Sequence, residues 1–367
     1  MHDVVIAGGG VIGLSAAREL ALRGHSVLVL DKGNARDATS WAAAGMLAPQ
    51  SEFDAPGPLF DFCLASLRLY RDWARHLHEE SGNDPEFSES GLIVVASTED
   101  GLCRLRRAVE WQKAAGLAAE LLTPEEVAQM EPRLTLPLAG AAFLPQECQV
   151  TPRRLVEAVK GSCAAKGVEI RSGVRVLEVT SANGRVTGVK TATEWIEAKH
   201  VVIAAGVHTP EMAGLLPAIP LVPRKGQILS LRTETSLFRR MIRWEHAYLV
   251  QRNGELVVGA TNEDTGFDRS LTPAGIGGLL ARSQQLSSHL GAVAIHEMWT
   301  GLRPATPDGL PVIGKTDVEG LVYATGHYRN GILLAPVTAV CVAALVEGRE
   351  LPTPLDAFSP LRWGHTA

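Results

Sequence analysis

Cysteine is scarce. The 367 residues hold five, Cys63, Cys103, Cys148, Cys163 and Cys341, odd in number and without a C-x-x-C pair, which excludes a disulfide framework and a zinc knuckle. They read as reduced thiols of a cytoplasmic protein. The 11 histidines include no H-E-x-x-H or comparable spacing, so no metal site is expected. Positive charge is not in excess either: Lys and Arg number 35 against 40 Asp and Glu, a formal net charge of −5, which leaves no field to collect a polynucleotide. Long apolar runs are missing. The longest, 332–346, is broken by Pro336 and Thr338 and falls short of the ~20 residues that cross a bilayer, so it reads as a buried helix and no transmembrane segment is expected. The N-terminus enters Val4-Val5-Ile6-Ala7 with no basic n-region or cleavage site, which predicts a chain that begins with its first strand.

What is present is a globular composition, 46 % hydrophobic, and a length that suggests two domains at about 150 residues each. The opening is the most informative stretch. The β-branched run Asp3 to Ala7 leads at once into Gly8-Gly9-Gly10-Val11-Ile12-Gly13, a G-x-G-x-x-G. Leu14, Ala17 and Ala21 then recur at helical spacing, Gly24 stops the helix, and a second strand, Val27 to Leu30, ends in Asp31. Glycines also mark ordinary turns, but here strand, helix and acid are all in place for a dinucleotide. Gly8 makes the tight turn, Gly10 lets a pyrophosphate approach, Gly13 lets helix and strand pack, and Asp31 accepts from a ribose hydroxyl rather than tolerating a 2′-phosphate. FAD and NAD both fit at this point. The small residues of Thr39 to Pro49 favour FAD, because they let backbone lie against a flat ring system; a small-residue helix packed on the sheet is the alternative.

After residue 60 the rhythm changes. Leu64 to Leu77 and Pro152 to Lys166 read as helices, Gly91 to Ala96 as a strand, and Thr123-Pro124-Glu125-Glu126 as a capping box. The runs Val168 to Arg171, Val174 to Thr180, Val186 to Val189 and His200 to Ala204, with a turn at Asn183-Gly184, form a β-rich stretch that ends in Ala205-Gly206. Gly206 would pass close to the cofactor and Val174 would pack on an adenine. Asn253-Gly254 predicts a type I′ hairpin, and counting back pairs Arg252 with Glu255 and sets Tyr248 opposite Gly259, with room over the phenol ring.

Near the C-terminus, Trp299 to Gly314 is dense in Gly and Pro and holds Arg303 between Leu302 and Pro304. Gly326-His327-Tyr328-Arg329-Asn330-Gly331 then opens the apolar helix. Free N–H groups after such a loop suit a flavin's pyrimidine oxygens, and Arg303 and Arg329 suit a carboxylate, which Arg303 could hold bidentately.

Together, Gly8 to Gly13, Ala42 to Pro49, Trp299 to Gly314 and Gly326 to Leu334 resemble the D-amino-acid oxidase superfamily, and within it the glycine oxidases of thiamine biosynthesis, over nearly the whole chain. The resemblance implies an α/β fold, a Rossmann-like FAD-binding domain (1–90, 149–216 and 298–367) interleaved with an antiparallel-sheet substrate domain (91–148 and 217–297). It implies FAD contacts from Gly8, Gly10, Val11, Ile12, Gly13, Asp31, Lys32, Ser40, Trp41, Gly45, Met46, Leu47, Val174 and the loop His327, Tyr328, Arg329, Asn330, Gly331, Ile332 and Leu333. It further implies that Arg303 and Tyr248 hold the substrate carboxylate, with Arg329 lining the pocket and His246 nearby. Sarcosine oxidases tether FAD to cysteine, whereas Cys341 falls inside the last helix, so non-covalent FAD is expected.

The implied reaction is oxidation of glycine, sarcosine or small D-amino acids with O₂, giving a 2-oxo acid, ammonia and H₂O₂, with the glycine imine passed to a thiazole synthase. A homo-oligomer is also expected. A D-amino-acid oxidase, a quinone-linked dehydrogenase and a non-catalytic flavin redox sensor are the alternatives. Asn262 stands where the glycine oxidase pattern has an apolar residue.

Overall fold

The computed structural model describes residues 2–33 and 35–364. Two eight-stranded sheets organise them. In the first, the strands run in the order Val312–Lys315, Leu321–Thr325, Trp195–Ile203, His2–Ala7, Val27–Asp31 and Glu169–Ser172. The order is parallel except for the 312–315 edge. His2–Ala7 therefore has its two neighbours on opposite sides, and the crevice beyond its carboxyl end is the topological switch point where open α/β sheets take ligands. Two antiparallel strands, Glu178–Ala182 and Arg185–Lys190, extend Trp195–Ile203.

One face of this sheet is covered by helices Val11–Leu22, Pro58–Ser81, Pro152–Ala165 and Gly331–Glu347, and Leu14, Leu20, Leu77, Leu155 and Val342 are buried among them. Three of the helices are also tied by charge. Arg18, almost fully buried, makes a bidentate pair with Glu80 at 2.8 and 2.9 Å, and its Nε reaches Ser162 Oγ at 2.8 Å. Pairing of this kind is what makes a buried guanidinium tolerable.

The second sheet runs in the order Ile295–Ala305, Val222–Arg232, Glu255–Gly259, Ala247–Arg252, Met241–Trp244, Leu92–Ala96, Gly140–Leu144 and Glu120–Leu122. It is antiparallel apart from the contact of 241–244 with 92–96. Its far face packs on helix Pro273–Leu286. Its near face, including Trp299 of its own edge strand, meets Ala42 and Ala48.

Local expectations are met at several places and corrected at others. The capping box at Thr123 forms with both of its hydrogen bonds. The 247–259 hairpin has the counted register, Tyr248 opposite Gly259 and Arg252 opposite Glu255. Its turn is not type I′, however: Gly254 has φ +79 but Asn253 is not on the positive side, and the Gln251 side chain donates to the Arg252 and Glu255 carbonyls at 2.8 and 3.0 Å. Asn183 and Gly184, at φ +52 and +75, adopt the double positive pair instead. The helix read at 64–77 spans Pro58–Ser81, started by Pro58 in its first turn. The strand read at 174–180 is regular only over Glu178–Ala182, with the Leu177 N–H bonded to the Lys190 carbonyl just ahead of it at 2.8 Å; the Val174 N–H instead donates to the Asp31 carbonyl at 2.9 Å.

Candidate active site

The two sheets enclose a cleft of about 1230 Å³. Of the residues singled out in the sequence, all line it except Gly13 and Leu47. Both exceptions have structural reasons. A Cβ on Gly13 would stand 1.9 Å from the Gly8 carbonyl oxygen, so its task is the close packing of helix on strand. Leu47 pairs with Cys148 and is buried in the helical core.

At one end the cleft follows the first βαβ unit. Gly8 turns at φ +114, and a Cβ there would fall 2.4 Å from the Ala204 carbonyl oxygen. A Cβ on Gly10 would meet only Ser40 Oγ, at 3.4 Å, so the surface of this glycine is open to the cleft. Ser40 Oγ accepts from the Val11 N–H at 3.0 Å, at the start of the first helix. The Asp31 carboxylate accepts from Gly9 and Gly33 N–H groups at 2.7 and 2.8 Å, which holds it at the end of its strand. Lys32 lies 2.7 Å from His208 across the opening. Val174 and Gly206 complete this end. The open glycine surface and the fixed acid fit the pyrophosphate and ribose of a dinucleotide.

Residues 40–46 and 327–333 line the middle of the cleft. Pro336 cannot donate within helix Gly331–Glu347, and the Ile332 carbonyl that it leaves free accepts from the buried Tyr70 hydroxyl at 2.8 Å. Ser66 likewise donates to the Leu333 carbonyl at 2.6 Å. These two bonds hold the helix start against the cleft. Burial pushes the His327 imidazole down to about 3, so the ring is neutral, 3.1 Å from Thr338 Oγ1.

At the other end stand Tyr248 and Arg303, each seated over a glycine. A Cβ on Gly259 would lie 2.3 Å from the Tyr248 hydroxyl, and one on Gly226 would lie 2.3 Å from an Arg303 terminal nitrogen. The Arg303 guanidinium donates to the Thr261 and Lys225 carbonyls at 3.1 and 3.5 Å. It has no carboxylate partner among the described residues, and burial works against its charge. Burial also raises the Tyr248 phenol, against the pull of Arg303 and Arg329. A guanidinium fixed by carbonyls and short of a counter-ion is a receptor for an anion.

The family model described as DAO, FAD dependent oxidoreductase, covers residues 3–345. The chain belongs to this family. FAD is thus the cofactor for which the cleft is built, and the chain is an FAD-dependent oxidoreductase. A bifunctional ThiO/ThiG protein of Nostoc sp. (strain PCC 7120 / SAG 25.82 / UTEX 2576) is 39 % identical over 97 % of this chain and 54 % of its own length. The chain thus spans about half the length of the ThiO/ThiG relatives that it matches. A glycine oxidase of Geobacillus kaustophilus (strain HTA426) is 36 % identical over 98 % of this chain and 97 % of its own. The crystal structure of glycine oxidase from that species superposes with a TM-score of 0.94 at 36 % identity, covering 98 % of both chains. Among the described residues no helix is long and apolar enough to cross a membrane.

Among the charged residues that the sequence reading passed over, Arg243 and Glu52 line the cleft of this family member. Arg243 is opposite Tyr248 in register, and Glu52 lies 3.5 Å from Arg329 and 4.0 Å from Arg243. A signal for Arg243 existed: Met241 to Trp244 and Ala247 to Arg252 flank the two residues Glu245-His246, the spacing of a tight hairpin. His246, at that turn, is exposed at the rim. Asn262 accepts from the Tyr328 hydroxyl at 3.3 Å.

Proposed function

We propose that the chain oxidises small amino acids and amines, glycine, sarcosine and small D-amino acids among them, to a 2-oxo acid, ammonia or an amine, and hydrogen peroxide. Arg303 carries this reading, as a guanidinium with no carboxylate partner among the described residues, beside the Tyr248 phenol, in the wall of the flavin cleft. Arg303 would take the substrate carboxylate as a fork and Tyr248 would add a second hydrogen bond. That anchoring fixes which Cα–H bond faces the cofactor, and positioning of this kind supplies most of the rate. FAD, when bound, would supply the two-electron acceptor and the route of electrons to dioxygen. The residues that would hold it are Gly8, Gly10, Asp31 and Ser40 at the dinucleotide end and the 327–333 loop at the ring end. Neither the neutral His327 nor any other side chain needs to serve as a base if the amine reacts unprotonated.

Glycine as substrate is supported by the glycine oxidase relatives. The bifunctional ThiO/ThiG relatives, with about half of each outside the match, support a thiazole synthase as the consumer of the glycine imine. The proposed FAD-binding domain is 1–90, 149–216 and 298–367, with the remainder as the substrate domain. A cytoplasmic location accords with five unpaired thiols. The test is anaerobic mixing of the yellow protein with each amino acid: bleaching by glycine or sarcosine is expected, and oxidised flavin persisting across the whole panel would overturn the reading.

A further inference from the structure

The substrate end of the cleft carries more positive charge than one amino acid needs. Three guanidiniums line it, Arg303, Arg243 and Arg329, against the Glu52 carboxylate. If Arg303 is matched by the α-carboxylate, Arg243 and Arg329 still share one acid, and they share the same oxygen of it, at 4.0 and 3.5 Å. Those distances are long for charge-assisted hydrogen bonds, which run at about 2.7–2.9 Å. Among the described residues Arg329, which is exposed, has no closer partner, and the more buried Arg243 otherwise donates only to Ser51, through its carbonyl and its hydroxyl.

The other neighbouring acids do not pair with either arginine among the described residues. Asp54 also acts on Arg243, but it is exposed and makes no ion pair with it. Glu147 is fully buried, with one oxygen taking the Gln50 N–H at 2.7 Å and the other without a partner; burial pushes that carboxyl well above its ordinary range, which weakens it as a counter-charge. Glu263 is committed to Lys225 at 3.1 Å. Glu245 is exposed on the turn and makes no ion pair among the described residues. Tyr248 stands within the field of Arg303, Arg329 and Glu52 and lies opposite Arg243 in register.

We propose that Arg243 and Arg329 form a second carboxylate subsite, gated by Glu52, so that the cleft binds dicarboxylates with one acid on Arg303 and the other on this pair. On the reading above, which this inference deepens, an amino acid with a side-chain carboxylate such as D-aspartate becomes a substrate. It would lose two electrons and two protons to O₂, giving H₂O₂, and water would release oxaloacetate and ammonia. Glu52 competes with the incoming acid. It thereby sets how strongly a second charge is preferred.

The test uses the FAD-loaded protein and calorimetry at fixed ionic strength, with acetate, malonate and succinate as probes that cannot be oxidised. At least one diacid should bind about tenfold more tightly than acetate. Glu52→Gln should raise the diacid-to-acetate affinity ratio a further threefold or more, and Arg243→Gln should bring it close to one. The Glu52→Gln gain is a result that misfolding cannot produce, so it holds even if Arg243→Gln fails to fold. In turnover, D-aspartate should exceed its isostere D-asparagine in kcat/KM. Diacids no tighter than acetate, or a ratio that Glu52→Gln leaves unchanged or lowers, would overturn the subsite. Glycine bleaching the flavin while diacids bind like acetate sinks this inference alone. Tight diacid binding with no amino acid bleaching the flavin supports the subsite and sinks the amino-acid reading instead.

Discussion

Gly226 and Gly259 shape the substrate end by leaving space where any other residue would put a carbon. The atom that a Cβ on Gly226 would strike is the far end of the flexible Arg303 side chain, 2.3 Å away. The guanidinium can move aside at little cost to the fold, so Gly226→Ala should change stability by less than about 1 kcal/mol while raising KM for glycine about tenfold. Melting, flavin content and steady-state kinetics on one preparation separate the two effects; a large loss of stability would contradict this account of the position. Glu147 gives a second prediction at this scale. Its carboxyl is raised well above its ordinary 4.5 by burial, so the stability that its protonated form contributes is complete below the unfolded value and is lost as pH rises toward the folded one. Glu147→Gln keeps an acceptor for Gln50 and does not titrate. Its melting temperature relative to wild type should therefore rise between about pH 5 and pH 8, and a flat difference would contradict the assignment.

The last long helix shows what one proline demands of its surroundings. Tyr70, from helix Pro58–Ser81, satisfies the Ile332 carbonyl that Pro336 leaves unpaired. Tyr70→Phe removes that hydroxyl and little volume, and should cost about 1–3 kcal/mol through an unsatisfied buried carbonyl. Adding Pro336→Ala supplies an N–H within the helix, so the double variant should be more stable than Tyr70→Phe alone by denaturant titration. Strict additivity would mean that the hydroxyl and the proline are not linked. Elements of this kind were legible in sequence to different degrees. The apolar helix and the hairpin register follow from patterns within a few residues, 332–346 and 248–259. The Asn253 turn does not, because the Gln251 side chain, buried by the surrounding sheet, decides which carbonyls are bonded there.

Across the whole molecule, chain order and spatial order diverge. Strands of the first sheet come from 2–31, 169–203 and 312–325, and those of the second from 92–144 and 222–305. The Gly-rich βαβ unit was readable because its spacing is local. Arg303 stood out between Leu302 and Pro304 for the same reason. Glu52 and Arg243, far apart in sequence, meet only because the 49–51 turn folds against the second sheet, where Arg243 holds Ser51. No local pattern carries that contact. The account's central claim is that Arg303 receives the substrate carboxylate in front of the flavin. Anaerobic stopped-flow reduction of the bound flavin by glycine, in wild type and Arg303→Met, tests it most directly. Wild type should bleach with saturation, and the variant should retain FAD and its absorbance yet show apparent substrate affinity weakened by 100-fold or more, about 2.7 kcal/mol at 1.36 kcal/mol per factor of ten. Equal saturation curves for the two proteins would contradict it.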